Sequence, residues 1–261
     1  MDNLKGDDAS NGLDAERIDL ANGPVRTIAR GLQLTRLGGT VNIANTGQPY
    51  YESMELVGGK LSGSPSNPLI IEGNGAELNG SFPVPQTAWR NVEPQLWKFT
   101  PFRKGHYLLI LDNKALPETR VPPNSRRLPD IPEGQWAAWR GDIYLKTSTL
   151  EEPIDLDLWF AVRSTGVTLY DVHDVIVRDL KVRHFRIDGY NAHDRATNIL
   201  LENITAEENG RAGVVSAGTS FLEIRNPTIR NNGRHSVLIL ERAGVQINDE
   251  TNVQPAPTIA E

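Results

Sequence analysis

The segment Val175-Ile176-Val177-Arg178-Asp179-Leu180-Lys181-Val182 alternates apolar and polar positions, breaks at a polar pair, and alternates again. The pattern recurs over 199–206, over 222–229 and in part over 245–249, at offsets of 24, 23 and 23 residues. Period-two alternation over so few residues marks half-buried strands, so each copy predicts two short strands joined by a bend. A third strand follows at Tyr190-x-Ala192, Val214-x-Ser216 and Val237-x-Ile239, and Val167-x-Leu169 fits that slot one copy earlier. Polar turns at Asn209-Gly210 and Asn232-Gly233 separate the second strand from the third.

Three short strands per turn of about 23 residues predict an all-β fold, a parallel β-helix. A leucine-rich repeat has a similar period but needs a leucine consensus and a helical segment, and helical repeats need a 3.6-residue stripe; the repeating segments show neither. Apolar residues at Val25, Ile28, Ala29 and Leu32 line one helix face, with Asn22 and Gly23 as caps and Pro24 in the first turn. This amphipathic helix is expected to cover the open end of the coil. Segments 40–44, 52–56 and 69–72 read as early rungs, with turns at Asn74-Gly75 and Asn79-Gly80.

From about 84 to 160 the period fails. This stretch holds all five tryptophans (Trp89, Trp97, Trp136, Trp139, Trp159) and a proline-rich link over 117–132. Hairpin-like stretches lie at 107–112 and 136–145, the latter turning at Arg140-Gly141-Asp142. The expected organisation is an N-terminal cap and first rungs over 1–83, a β-rich aromatic insertion over 84–160, and the main rungs over 161–261. The aromatics either form the insertion's own core or give one or two sugar-stacking platforms.

Several stretches resemble bacterial right-handed parallel β-helix proteins of the pectin-lyase-like superfamily. They are Gly23-Pro24-Val25-Arg26-Thr27-Ile28, Asn67-Pro68-Leu69-Ile70-Ile71-Glu72-Gly73, Leu116-Pro117-Glu118-Thr119-Arg120-Val121-Pro122, Glu133-Gly134-Gln135-Trp136 with Ile143-Tyr144-Leu145, and Asn209-Gly210-Arg211-Ala212-Gly213-Val214. The resemblance implies a right-handed coil, carbohydrate chemistry and an extracellular or periplasmic location. Members of that superfamily include polysaccharide lyases, glycoside hydrolases, uronate epimerases and non-catalytic adhesins, so the fold alone does not select a reaction.

Composition narrows the partners. The 261 residues carry 27 Lys and Arg against 33 acids, a net charge of −6, so nucleic acid is not an expected partner. With no cysteine there are no disulfides or thiolate metal sites. The longest apolar runs span five residues, too short for a membrane span, and MDNLKGDDAS shows no signal-peptide core. No phosphate-binding glycine loop, HExxH or GxSxG motif occurs, so no organic cofactor is expected.

The repeat register places side chains. Outward positions of the third strand are Thr168 and Tyr170, then Asn191 and His193, then Val215 and Ala217, then Leu238 and Leu240. Adjacent rungs lie roughly 4.8 Å apart, so His193 is expected above Tyr170 and Asn191 above Thr168. Asp171 and Asp194 follow one rung apart, with Arg195 next along. Two carboxylates so placed bind a divalent cation such as Ca²⁺, share a proton, or turn apart into water; as an alternative they cap strand ends as Asx turns.

By residue type His193 is the candidate base for eliminating across a uronate. Tyr170 would protonate the leaving oxygen, with Asp194 beside it, and Arg195 or Arg183 would neutralise the sugar carboxylate. Asn191 and Arg183 are the candidate substrate-binding residues. The bland alternative for His193 is an exposed imidazole stacked on a tyrosine. The expected function is thus a polysaccharide lyase, with a non-catalytic carbohydrate-binding or adhesin-like protein, or a glycoside hydrolase, as rivals.

Other polar residues read as structural. Arg183, Glu207 and Arg230 form one outward column of alternating sign, expected as a solvated ladder. Asn209 and Asn232 are expected as a turn ladder, and His173 and His184 as solvent-facing bend residues. Toward the C-terminus the outward positions become apolar at Val215 and Leu238, predicting an exposed patch. The last rung reads as uncapped, so this edge is expected to meet a partner chain, as in a homo-oligomer, or to continue past residue 261.

Overall fold

The computed structural model describes residues 1–260 and divides the chain into two compact units. One combines residues 1–80 with those from 163 onward; the other spans Ser81–Val162.

The first unit is an all-parallel coil. One ladder runs through Thr40–Asn42, Leu69–Asn79, His173–Arg183, Thr197–Glu202, Phe221–Arg225 and Gly244–Ile247, with Thr205–Glu207 and Thr228–Arg230 continuing its second half. A second ladder stacks Met54–Val57, Thr165–Tyr170, Asp188–His193, Ala212–Ser216, His235–Leu240 and Thr258–Ala260. The register pairs Val175 with Ile199 and Ile199 with Leu222, the same positions that the sequence repeat aligns. These residues, with Val167, Tyr190, Val214 and Val237 of the other ladder, are buried in one continuous core. Stacking like on like lets each rung bury the apolar face of the one before it.

Bends are made by residues in the left-handed region. Asp171, Asp194, Gly218 and Glu241 occupy one corner, Asp179, Asn203 and Asn226 a second, and His184, Glu208 and Asn231 a third. Asn, Asp and Gly tolerate this conformation best, which accounts for most of these identities. Asn203 donates to Asp179 (3.1 Å) and Asn226 to Asn203 (3.2 Å), tying successive rungs at the second corner. At Gly189 the next rung of the same ladder comes so close that a Cβ would lie 2.6 Å from the Gly213 carbonyl oxygen.

The helix spans Ile28–Leu34 and starts later than the apolar spacing predicts. Thr27 is its cap, its side chain accepting from the Arg30 N–H, so Pro24 and Val25 fall outside it. The coil also extends one rung beyond the sequence reading. Val253 bridges to Ile229, and Thr258–Ala260 pairs with His235–Leu240. Ile259 stands beside Ile239 of the inward column and is nevertheless 78% exposed. The predicted exposed patch is not found: Val215 and Leu238 are buried and pack with Ala212, Ala217 and Leu240.

The second unit consists of two antiparallel four-stranded sheets. Arg90–Glu93, Leu96–Phe99, Asp142–Lys146 and Trp136–Trp139 form one; Ser81–Pro83, Leu158–Ala161, Leu109–Leu111 and Lys114–Ala115 form the other. Trp89, Phe99 and Phe160 pack edge to face, with centroids 4.8 and 5.1 Å apart, beside buried Trp136. Trp89 and Trp136 are therefore core residues, whereas Trp97, Trp139 and Trp159 are half-buried. The two-residue turn Arg140-Gly141 has φ of 50° and 86°, the mirror-image turn that suits a tight hairpin.

Candidate functional site

The strands Thr165–Tyr170 and Asp188–His193 place the candidate residues. Their register pairs Thr168 with Asn191 and Tyr170 with His193. The Tyr170 and His193 rings meet edge to face, centroids 4.7 Å apart, with the His193 side chain 38% exposed. The Tyr170 hydroxyl donates to the Asp194 carboxylate, and that bond, followed by the carboxylate's charge, raises the phenol above its ordinary value. Tyr170 thus stays protonated at neutral pH and can give a proton but not take one. His193 Nδ1 lies 3.8 Å from Asp194 Oδ1, beyond hydrogen-bond reach, so Asp194 attracts the ring without fixing it.

Asp171 and Arg195 form an ion pair, Nη2 and Nε lying 2.9 and 3.1 Å from one carboxylate oxygen. Arg195 is 74% exposed, so this pair is weak and can be exchanged for another carboxylate. Asp171 thus holds a guanidinium and Asp194 a phenol. Among the described residues no group of three or more His, Asp or Glu is placed to hold a metal.

Two predicted substrate-binding residues are occupied elsewhere. Asn191 Nδ2 donates to Asp188 (2.8 Å), and its Oδ1 is buried without a partner among the described residues. Arg183 is buried, bonded to Glu208 and 3.9 Å from Glu207. Glu207 and Glu208 lie in the first ladder and its bends, not in the Tyr170–His193 group. Nor is its column a solvated face: Arg183 and Glu207 are both buried, and only Arg230, 3.2 Å from Glu207, is exposed.

The sequence reading missed two buried polar groups. His184, expected in solvent, is fully buried, with Nε2 2.8 Å from Glu208 and Nδ1 3.2 Å from Asn79 Nδ2. Asp188, also fully buried, accepts from Arg211 through both carboxylate oxygens at 2.9 and 2.6 Å. The second was detectable, since Asp188 and Arg211 stand 23 residues apart, one rung, with opposite charge. Two cavities lie away from the Tyr170–His193 face. One of about 890 Å³ is lined by Leu13, Val25, Leu34 and Val41, and one of about 490 Å³ by Asn74, Asp179, Lys181 and Asn203.

The family model for the right handed beta helix region matches residues 143–252. A solved structure, that of XylC in complex with xylose, superposes with a TM-score of 0.56 at 13% sequence identity. The match covers 86% of this chain and 55% of that one, so the chain spans little more than half the length of this structural relative. No curated protein matches the sequence. No helix among the described residues is long and apolar enough to cross a membrane. Parallel ladders, left-handed corners and these likenesses agree: the chain has the fold of a right-handed parallel β-helix.

Proposed function

We propose that the chain binds a polysaccharide on the outward face at Tyr170 and His193 and cleaves a uronate linkage there by β-elimination. The observation that carries this reading is the edge-to-face contact of Tyr170 with His193, which sets a protonated phenol beside an accessible imidazole. His193 takes the proton at C5 of the uronate. The electron pair forms the C4–C5 double bond as the C4–O bond breaks, and Tyr170 protonates the departing oxygen. Arg195 exchanges Asp171 for the uronate carboxylate and offsets the charge that develops there. The xylose held by XylC is consistent with saccharide as the ligand class.

A second reading, a carbohydrate-binding protein without catalysis, is favoured by one feature. Several polar groups of the face are engaged with one another: Arg195 with Asp171, Tyr170 with Asp194, and the Asn191 amide nitrogen with Asp188. A hydrolase would need its two carboxyl groups on opposite sides of the bond, whereas Asp171 and Asp194 occupy one corner of adjacent rungs. Incubation with a panel of neutral and uronate polysaccharides separates the three. Ultraviolet-absorbing unsaturated ends mark a lyase, new reducing ends without absorbance a hydrolase, and retention without new ends a binding protein. Either of the last two results overturns the elimination reading.

A further inference from the structure

The insertion unit has a charge distribution unlike the chain as a whole. Residues 98–127 contain seven Lys and Arg against two acids, within a chain of net charge −6. Three segments bring part of this charge together with Trp139. The hairpin turn supplies Arg140, whose guanidinium lies 4.4 Å over the Trp139 ring. Lys104 donates to the carbonyl of the neighbouring Gly141, which places the loop with Arg103 at the same turn. Trp139 Nε1 donates to the Ser125 carbonyl (3.4 Å), which puts the segment carrying Arg126 and Arg127 beside the same tryptophan.

Arg103, Arg126, Arg127 and Arg140 are all exposed, and none has a carboxylate partner among the described residues. The nearest acid of the hairpin, Asp142, is engaged by Lys98 (2.8 Å) and by Thr100. Arg140 also sits in the left-handed region, at a turn position that Asn, Asp or Gly fills at lower cost. An arginine at an exposed left-handed turn, stacked on a tryptophan and without a carboxylate partner among the described residues, is suited to binding an anion.

We propose that the Arg140 hairpin turn and the loops carrying Arg103 and Arg126 form a binding surface for an acidic polysaccharide, a chain with carboxylates at regular spacing. Stacking on Trp139 holds the Arg140 guanidinium flat, leaving its donor fork for a carboxylate, and the remaining arginines meet further carboxylates along the chain. A polyuronate fits better than a nucleic acid. One carboxylate per sugar is a modest charge density, whereas DNA's one charge per ~1.7 Å is repelled by the net negative charge of the chain. The proposal shares only the ligand class with the elimination reading and does not need His193.

The test is retention of the full chain on polygalacturonate by affinity electrophoresis at low and moderate salt. Wild type is expected to be retained, less so as salt rises. The exposed triple variant R126A/R127A/R140A should bind about tenfold more weakly, with an unchanged circular dichroism spectrum. Arg140→Asn alone should weaken retention while leaving the melting temperature equal or higher, because Asn relieves the turn. Equal retention of the triple variant, or equal retention of wild type by a neutral polysaccharide or single-stranded DNA, overturns the proposal. His193→Ala should be retained like wild type. Retention without unsaturated product therefore sinks the elimination reading and leaves this one standing.

Discussion

The fully buried His184 ring lies 2.8 Å from the Glu208 carboxylate, and the pair fixes its own charge state. Asn79 Nδ2 is a donor, so His184 Nδ1 accepts and Nε2 carries the proton toward Glu208. Burial lowers the imidazole from its ordinary 6.5, opposed by the bond to Glu208, and the ring is neutral. Burial pushes the Glu208 carboxyl up, but the bonds from His184 and Arg183 outweigh it and bring it down to about 2. The corner thus holds a neutral histidine between an amide and a carboxylate that Arg183 neutralises.

Both groups bind protons more readily unfolded than folded, so stability rises with pH through their range. The His184 contribution is complete above its ordinary 6.5 and declines as pH falls below it. The Glu208 contribution is complete above 4.5 and is lost as pH falls toward about 2. Urea midpoints measured from pH 8 to pH 3 should fall in two stages, below pH 6.5 and again below pH 4.5. A midpoint that rises on acidification through either window contradicts this assignment.

Glu208→Gln removes the charge facing buried Arg183 and should destabilise the protein by about 3 kcal/mol, the cost of breaking one side of a buried pair. It should also flatten the lower stage of the pH profile. Circular dichroism melts of the two proteins at pH 7 and pH 4 measure both effects.

The asparagine turn ladder makes a separate demand. Asn209 accepts from the Phe185 N–H (3.0 Å) and donates to the Val182 carbonyl (3.3 Å) and to Asn232 Oδ1 (3.0 Å), while itself buried. Asn209→Ala leaves a buried donor and acceptor of the backbone unsatisfied and should cost about 2–3 kcal/mol by chemical denaturation. Asn209→Asp should cost at least as much, because the acid loses both amide donors.

The contrast between Asn209 and His184 shows why part of the molecule was legible in sequence and part was not. Stacked identical residues at offset 23 announce a ladder, and the alternation at Val175, Ile199 and Leu222 sets strand register, including the pairing of Tyr170 with His193. His184 belongs to no alternation. It sits at a left-handed bend just past the strand, where polarity suggests solvent and only the bend turns the side chain inward. The final rung escaped for a related reason: Val253 and Thr258–Ala260 are short and flank prolines, leaving too few residues to display a period. Burial of Val215 and Leu238 depends on their packing with Ala212, Ala217 and Leu240, which strand parity does not encode.

Asp188 links the core to the candidate site, since it receives Arg211 through both oxygens and also holds Asn191. Asp188→Asn breaks the buried charge pair and should lower stability by about 2–4 kcal/mol. Released Asn191 would change the face beside His193, so saccharide affinity should change in this variant. Asp171→Asn, which frees Arg195 without touching the core, should strengthen binding of a uronate chain. Calorimetric titration with oligouronate measures both effects.

Elimination at His193 and Tyr170 is tested by the initial rate of unsaturated-product formation from a uronate polysaccharide by wild type, His193→Ala and Tyr170→Phe. Wild type should form product, and each variant should lose about 10²–10⁴-fold with folding unchanged. No product from wild type across the panel, or full activity in His193→Ala, would contradict it.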